Sequence, residues 1–273
     1  FNFLNLLHEA AGFEFSCELD HVGFWDLRIS VADKYSKGRI FIAGDAAHSH
    51  PPYGGYGLNA GLEDVANLGW KLEACLKGWG GSHLLDSYTA ERQPIFEETG
   101  RDFIAGRIDA DRIFLEQYNP DENRAAFKHA WNEKRAANAT ALVSTYEPHY
   151  EGSPVVDGAP GAVCSAHGFH SQAARTGHHL APQILTNGRN VYDELNHGFT
   201  LIALETSDTD IGIFTKLAKT YEFPLNVVRD TFAEGRAQYL KKLILVRPDQ
   251  FIAWCGDQVP ANPERLIEKI LGK

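Results

Sequence analysis

The chain has 273 residues, 44% of them hydrophobic and 23% charged, with a formal net charge of −10. That acidic balance disfavours phosphate backbones and argues against nucleic acid as a partner. No apolar run approaches the ~20 residues that cross a bilayer, which argues against a membrane partner.

The four cysteines (Cys17, Cys75, Cys164, Cys255) lie far apart with no C-x-x-C pair. This spacing fits reduced thiols in a cytoplasmic protein better than a disulfide framework. Methionine is absent, and the chain opens abruptly on the apolar pattern FNFLNLL. The expectation is a portion of a longer polypeptide lacking its N-terminal part.

In chain order, FEFSCEL and GFWDLRISVA are expected as strands, followed by RIFIA (Arg39 to Ala43) as a short buried strand. From Leu58 the period becomes helical. Leu58, Leu62, Val65, Leu72 and Leu76 share one face, with acids early and lysines late as the helix dipole favours, and Gly78 is the expected stop. A second helix is expected over Leu84 to Tyr118, kinked at Pro94, and a third over Asp121 to Leu142. Glu147 to Gly188, rich in Gly, Pro, Ala and His, is expected as a long loop. Thereafter GFTLIALE, DIGIFTKLAKTY, LNVVRD, AEGRAQYLK, KLILVRPDQFIAWC and PERLIEKIL read as β-α-β-α-β-β-α. That order suggests an α/β unit of thioredoxin-like type, without the C-x-x-C pair that thiol–disulfide exchange needs. The expected division is residues 1–146, a linker and docking segment at 147–190, and the thioredoxin-like unit at 191–273.

The stretch GRIFIAGDAAHSHPPYGGYGLNAG, Gly38 to Gly61, is too rich in special residues for a plain connection. Asp45 at a strand end can accept hydrogen bonds from sugar-like hydroxyls. Gly54, Gly55 and Gly57 let backbone approach a ligand without Cβ interference. The N–H groups at the helix start near Leu58 and Asn59 favour partial negative charge, and Pro51-Pro52 stiffens the loop. A tight turn with Asp45 as a cap is the plainer reading. Gly55 to Ala60 formally matches a dinucleotide fingerprint. However, its glycines lie too far beyond the strand, and no second strand with a terminal acid follows. Asp45, His48 and His50 could begin a metal centre, but that would leave the prolines and glycines unexplained.

Gly38 to Leu72 closely resembles the second flavin motif of the single-component FAD-dependent aromatic hydroxylases, the class A flavoprotein monooxygenases. The likeness continues through LLDSYTAERQPIF (Leu84 to Phe96). The Gly/His-rich segment and the cysteine-poor tail resemble the phenol hydroxylase-like branch. The resemblance implies the C-terminal part of a Rossmann-like FAD-binding domain. It assigns cofactor contacts to Gly44, Asp45, Pro52, Gly55, Gly57, Leu58 and Asn59. Asp45 would bond the ribityl hydroxyls, Pro52 would lie beside the isoalloxazine ring, and Gly57, Leu58 and Asn59 would meet its pyrimidine edge. It also implies NADPH (or NADH) and O2 as co-substrates, a phenolic or other electron-rich aromatic substrate, and a homodimer. The family's N-terminal G-x-G-x-x-G strand and Asp-Gly motif are absent, so the base that activates the substrate is not identifiable here. The alternatives are a polyketide-type ring hydroxylase of the same superfamily, a non-catalytic dimerisation module and, last, a metallohydrolase.

Trp25, Arg28, Pro51 and Tyr53 are candidates for the substrate pocket; Tyr56 could equally touch ligand or fill loop surface. Cys164, His167, His170, His178 and His179 cluster in sequence without a closed ligand set, and read as a docking loop with no metal. Glu91-Arg92 reads as a structural ion pair.

Overall fold

The computed structural model describes residues 2–24, 27–140 and 145–273. Helix α1 (Phe3–Ala11) opens the chain. The Asn2 side chain caps it by accepting from the Asn5 N–H at 3.2 Å, and Gly12 ends it in the left-handed conformation. FEFSCEL is not a strand: Phe13 is 66% exposed, and the Phe15 carbonyl instead bonds the His8 ring. Among the described residues of GFWDLRISVA, only β1 (Ser30–Val31) forms a strand.

RIFIA departs further from expectation. Strand β2 (Ser36–Lys37) turns at Gly38 into β3 (Ile40–Phe41), a two-residue arm with Ile40 70% exposed. Periodicity cannot distinguish a buried central strand from an edge arm, because burial depends on neighbours distant in sequence. Strand β4 (His48–Ser49) then pairs antiparallel with β1.

Helix α2 (Tyr56–Leu76) ends at Gly78 as expected, but with its faces reversed. Leu58, Leu62, Val65 and Leu76 are exposed, whereas Ala60, Asp64, Asn67, Trp70, Lys71 and Ala74 are buried. Asp64, Asn67 and Lys71 bond partners far along the chain, although Asn67 Oδ1 has none among the described residues. The expected second helix is three consecutive pieces: α3 (Ser87–Glu98), a π-helical turn (Thr99–Ala105) and α4 (Gly106–Gln117). Pro94 sits inside α3, and the irregularity lies after it. There the Thr99 hydroxyl donates to the Ile95 carbonyl at 2.6 Å, and a Cβ on Gly100 would stand 2.8 Å from Ile29 Cγ2. Helix α5 spans Arg124–Thr140.

The expected long loop is packed chain. Strand β5 (Thr145–His149) pairs antiparallel with β6 (Ser165–Gly168), and Val155, Val156, Ala166, Leu180 and Leu185 are buried. Beyond it, β7 (Phe199–Leu204), α6 (Asp208–Thr220), β8 (Leu225–Asp230), β9 (Leu243–Val246), β10 (Ile252–Gly256) and α7 (Pro263–Ile270) follow the predicted order. AEGRAQYLK is the exception, forming a 3-10 turn over Glu234–Tyr239.

The sheet order is β10-β9-β7-β8, with β7 and β8 parallel and the remaining pairs antiparallel. All six residues of β7 are buried, because both faces of the sheet are covered. Phe199, Leu201 and Ala203 meet α6, α7 and the Trp70–Trp79 pair, while Ile202 and Leu204 meet Leu180, Val191 and Tyr239. Trp70 and Trp79 stack at 6.3 Å, and both present edges to Phe199. Helix α2 therefore packs directly on the C-terminal sheet.

A buried ionic cluster fastens the same junction. The Glu91 carboxylate receives both Arg247 guanidinium nitrogens, at 2.6 and 2.9 Å, with Lys71 at 2.6 Å and Asn67 and Ser153 at 2.5 Å. Glu91 and Arg92 do not pair with each other. Neighbours on a helix point in different directions, and each residue reaches its own distant partners.

Candidate functional site

Asp64, in the third turn of α2, organises the loop ahead of that helix. One carboxylate oxygen accepts the Gly44 N–H at 3.0 Å and the His48 Nε2–H at 2.8 Å; the other accepts Arg92 Nε at 2.7 Å. Asp64, His48 and Arg92 are all buried. Burial alone would raise the Asp64 pKa, but His48 and Arg92 outweigh it and hold the carboxyl below its ordinary value. Arg92 extends the clamp to Glu63 at 2.8 Å, the Tyr150 hydroxyl at 3.0 Å and the Ala60 carbonyl at 3.2 Å. The His48 ring stacks on Phe96 at 3.7 Å.

This tether places the Gly44–Ala46 3-10 turn against α2. A Cβ on Gly61 would lie 3.3 Å from Gly44 Cα, and Gly44 has φ +57°, so glycine is required at the contact. Gly54 and Gly55, at φ +70° and +74°, then turn the chain into α2. Among the described residues no side chain caps the first turn of this 21-residue helix, which leaves its N–H groups available to a ligand.

Sequence reasoning missed Asp64 and Arg92 as organisers of the site. The available clue was a carboxylate and a guanidinium set in otherwise core-like helical positions, but their pairing across 28 residues has no local signature.

Gly44, Asp45, Pro51, Pro52, Gly55, Gly57, Leu58 and Asn59 all lie on the turn, the loop and the helix start. The Asp45 carboxylate is exposed and accepts no hydrogen bond from the described residues, and Leu58 is 77% exposed. The Asn59 amide donates to the Gly55 carbonyl at 2.8 Å, bracing the helix start. Arg28 is exposed, two residues before β1, the strand paired alongside the loop. The Tyr53 hydroxyl donates to Asp111 at 2.7 Å, and Lys134 holds Asp111 at 2.9 Å. Tyr56 is half-buried and packs against Tyr146 and Phe103 at the edge of the core. Trp25 lies outside the described residues.

FAD fits this cradle on three observations. His50 Nδ1–H donates to the Pro51 carbonyl, which leaves His50 Nε2 as a buried acceptor without a partner among the described residues. That atom would stand 3.0 Å from a Cβ on Gly57. The exposed Asp45 and the uncapped helix start then offer one acceptor for hydroxyls and one site for negative charge on the same short stretch. Asp45, His48 and His50 do not gather as a metal set, since His48 is committed to Asp64 and His50 to Pro51. The later histidines also separate. His167 bonds Asp102, His178 lies between Glu147 and Glu151, and His179 bonds the Leu180 carbonyl.

A family model described as an FAD binding domain matches residues 4–102. FAD-dependent monooxygenase apdD of Emericella nidulans is 31% identical, over 98% of this chain and 47% of that protein. The 4-methyl-5-nitrocatechol 5-monooxygenase of a Burkholderia species is 29% identical, over 93% of this chain and 47% of its own length. Among solved structures, the rebeccamycin biosynthetic enzyme RebC with reduced flavin matches at a TM-score of 0.79 and 31% identity, covering 100% of this chain and 52% of that one. The chain spans about half the length of the curated relatives it matches.

Proposed function

This chain belongs to the FAD-dependent class A flavoprotein monooxygenases, and on that premise we propose that Gly44 to Asn59 hold FAD for hydroxylation of an electron-rich aromatic ring. The observation that carries this reading is the Asp64-tethered Gly44-Asp45 turn set against the uncapped start of α2. Asp45 accepts hydrogen bonds from the ribityl hydroxyls, and Gly44 gives the turn its close approach to the helix. Backbone N–H groups at Gly57, Leu58 and Asn59 bond the pyrimidine edge, where the helix dipole favours negative charge. Pro51 and Pro52 form a rigid wall, and Gly55 and Gly57 keep the path clear of side chains.

When bound, FAD supplies the reduction by NAD(P)H and the activation of dioxygen; the protein orients and shields it. Arg28, Pro51 and Tyr53 border the space for an aromatic substrate. The Asp111 bond anchors the Tyr53 hydroxyl and leaves it out of the chemistry. The catechol named for the Burkholderia relative supports a phenolic substrate class. The sheet order β10-β9-β7-β8 and its surrounding helices support a thioredoxin-like unit and the phenol hydroxylase-like branch. The exposed leucines of α2 support a further polypeptide surface covering that helix in the working enzyme.

The test is single-turnover oxygenation of the flavin-loaded protein with NADPH, labelled O2 and a panel of phenols and fused-ring phenols. Incorporation of one labelled oxygen into at least one aromatic product is expected. Saturated FAD binding and NADPH oxidation that yields only hydrogen peroxide across the panel would overturn the substrate class.

A further inference from the structure

We propose that His149, Glu151 and His178 bind one divalent transition-metal ion of the zinc type. One ligand atom from each lies within 4.8 Å of the others. The two imidazole rings stack at 4.6 Å with 16° between their planes. Two neutral imidazoles and a carboxylate form a recurrent zinc donor set, with the fourth position left to water.

The surrounding groups are already arranged as outer support. His178 Nδ1 lies 3.2 Å from Glu147, whose carboxylate also takes the Arg175 guanidinium, and His178 Nε2 faces Glu151 at 2.9 Å. An ion on Nε2 would replace the Glu151 hydrogen bond and leave Nδ1–H donating to Glu147. That carboxylate–histidine–metal chain fixes ring orientation in zinc sites. His149 shows the complementary pattern: its ring hydrogen-bonds the backbone of His167, while Nδ1 is buried with no partner among the described residues. An ordinary ion-pair cluster accounts for His178 but leaves that nitrogen orphaned, which is costly in a protein interior.

The backbone is equally committed. Gly177 adopts φ +84°, and its carbonyl accepts the Tyr150 N–H at 2.7 Å. A Cβ on Gly177 would stand 2.5 Å from the Glu151 nitrogen, so the two loops meet at a contact only glycine permits. Glu151, with its side chain 38% exposed, can move to bring the donors to the roughly 3.4 Å separations of a tetrahedral ion. The cluster escaped the sequence reading because His178 was grouped with its sequence neighbours, whereas its partners come from β5 and the residues just after it.

The experiment is calorimetric titration of chelator-treated, flavin-loaded protein with zinc chloride near pH 7.5, followed by thermal unfolding with and without zinc. One ion per chain and a raised Tm are expected. Glu151→Gln and His149→Ala should each weaken binding tenfold or more, and Glu147→Gln should weaken it about 10- to 100-fold. His170→Ala, an exposed histidine of the same segment, should change nothing. If His149→Ala fails to fold, the near-isosteric Glu151→Gln decides. Absence of saturable 1:1 binding, a loss under tenfold in Glu151→Gln, or an equal loss in His170→Ala would overturn the site.

Discussion

The Glu91 carboxylate and the Arg247 guanidinium form a two-point pair, 2.6 and 2.9 Å apart, between residues separated by 156 positions and both fully buried. Two buried charges are costly to desolvate and are tolerated only when fully matched. Glu91 meets that condition through Lys71, Asn67 and Ser153, and Arg247 through Asp249. The pair ties α3 to the C-terminal sheet, where Arg247 directly follows β9.

Glu91→Gln leaves Lys71 and Arg247 buried together without their shared carboxylate. The expected loss is about 3–5 kcal/mol in denaturant unfolding. The exposed Glu73–Lys77 pair is the control: Glu73→Gln should cost under ~1 kcal/mol. Equal effects would mean the buried pair has no special structural role.

Asp64→Asn keeps the shape but removes the charge that matches Arg92 and orients His48. A fall in stability of about 3–5 kcal/mol is expected. Weaker FAD binding should accompany it, measured by fluorescence titration well below the unfolding temperature, because the Gly44-Asp45 turn loses its tether. Unchanged FAD affinity in folded Asp64→Asn would dissociate this clamp from the cofactor site.

Acid should destabilise the protein in a defined window. Burial alone would raise the Glu91 pKa, but Arg247 and Lys71 drive it far below the ordinary carboxylate value. The Arg101 hydrogen bond, with a further one from His167, lowers Asp102 to about 2. A depressed folded pKa means that the unfolded chain binds more protons below pH ~4, so stability declines as pH falls through that region. Urea midpoints at pH 7, 5, 4 and 3 should fall slightly to pH 5 and steeply below 4; a flat profile to pH 3 would contradict the assignment.

Thiol reactivity should follow burial. Burial pushes the Cys164 thiol up to about 12 and raises Cys255 and Cys75, so their thiolate fractions near neutral pH are suppressed. Iodoacetamide at pH 8, read by peptide mass mapping, should label half-buried Cys17 first and spare Cys164 until denaturation. Rapid native labelling of Cys164 would contradict the packing around it.

The candidate loop was legible as a unit because its special residues are contiguous: a short apolar arm, Gly44-Asp45, paired prolines and glycines, then a helical period. The C-terminal elements were legible because the near-continuous apolar run over Phe199–Leu204 and helical spacing over Asp208–Thr220 are local patterns. What failed depended on distant partners. Leu58, Leu62 and Val65 form a plausible core stripe, yet α2 buries its Asp64–Asn67–Lys71 side instead, because Arg92 and Glu91 satisfy those groups. The π-helical turn after Pro94 and the His149–His178 stack likewise have no signature within a short window.

The most direct test of the flavin site is the FAD dissociation constant of Asp45→Ala beside that of the unaltered protein. The Asp45 carboxylate is exposed and accepts no hydrogen bond from the described residues, so its removal should leave the thermal unfolding of the FAD-free protein unchanged. Loss of hydrogen bonds from ribityl hydroxyls to a charged acceptor should raise the constant about tenfold or more, equivalent to ~1.4 kcal/mol. An unaltered dissociation constant would contradict the assignment of this turn to the cofactor.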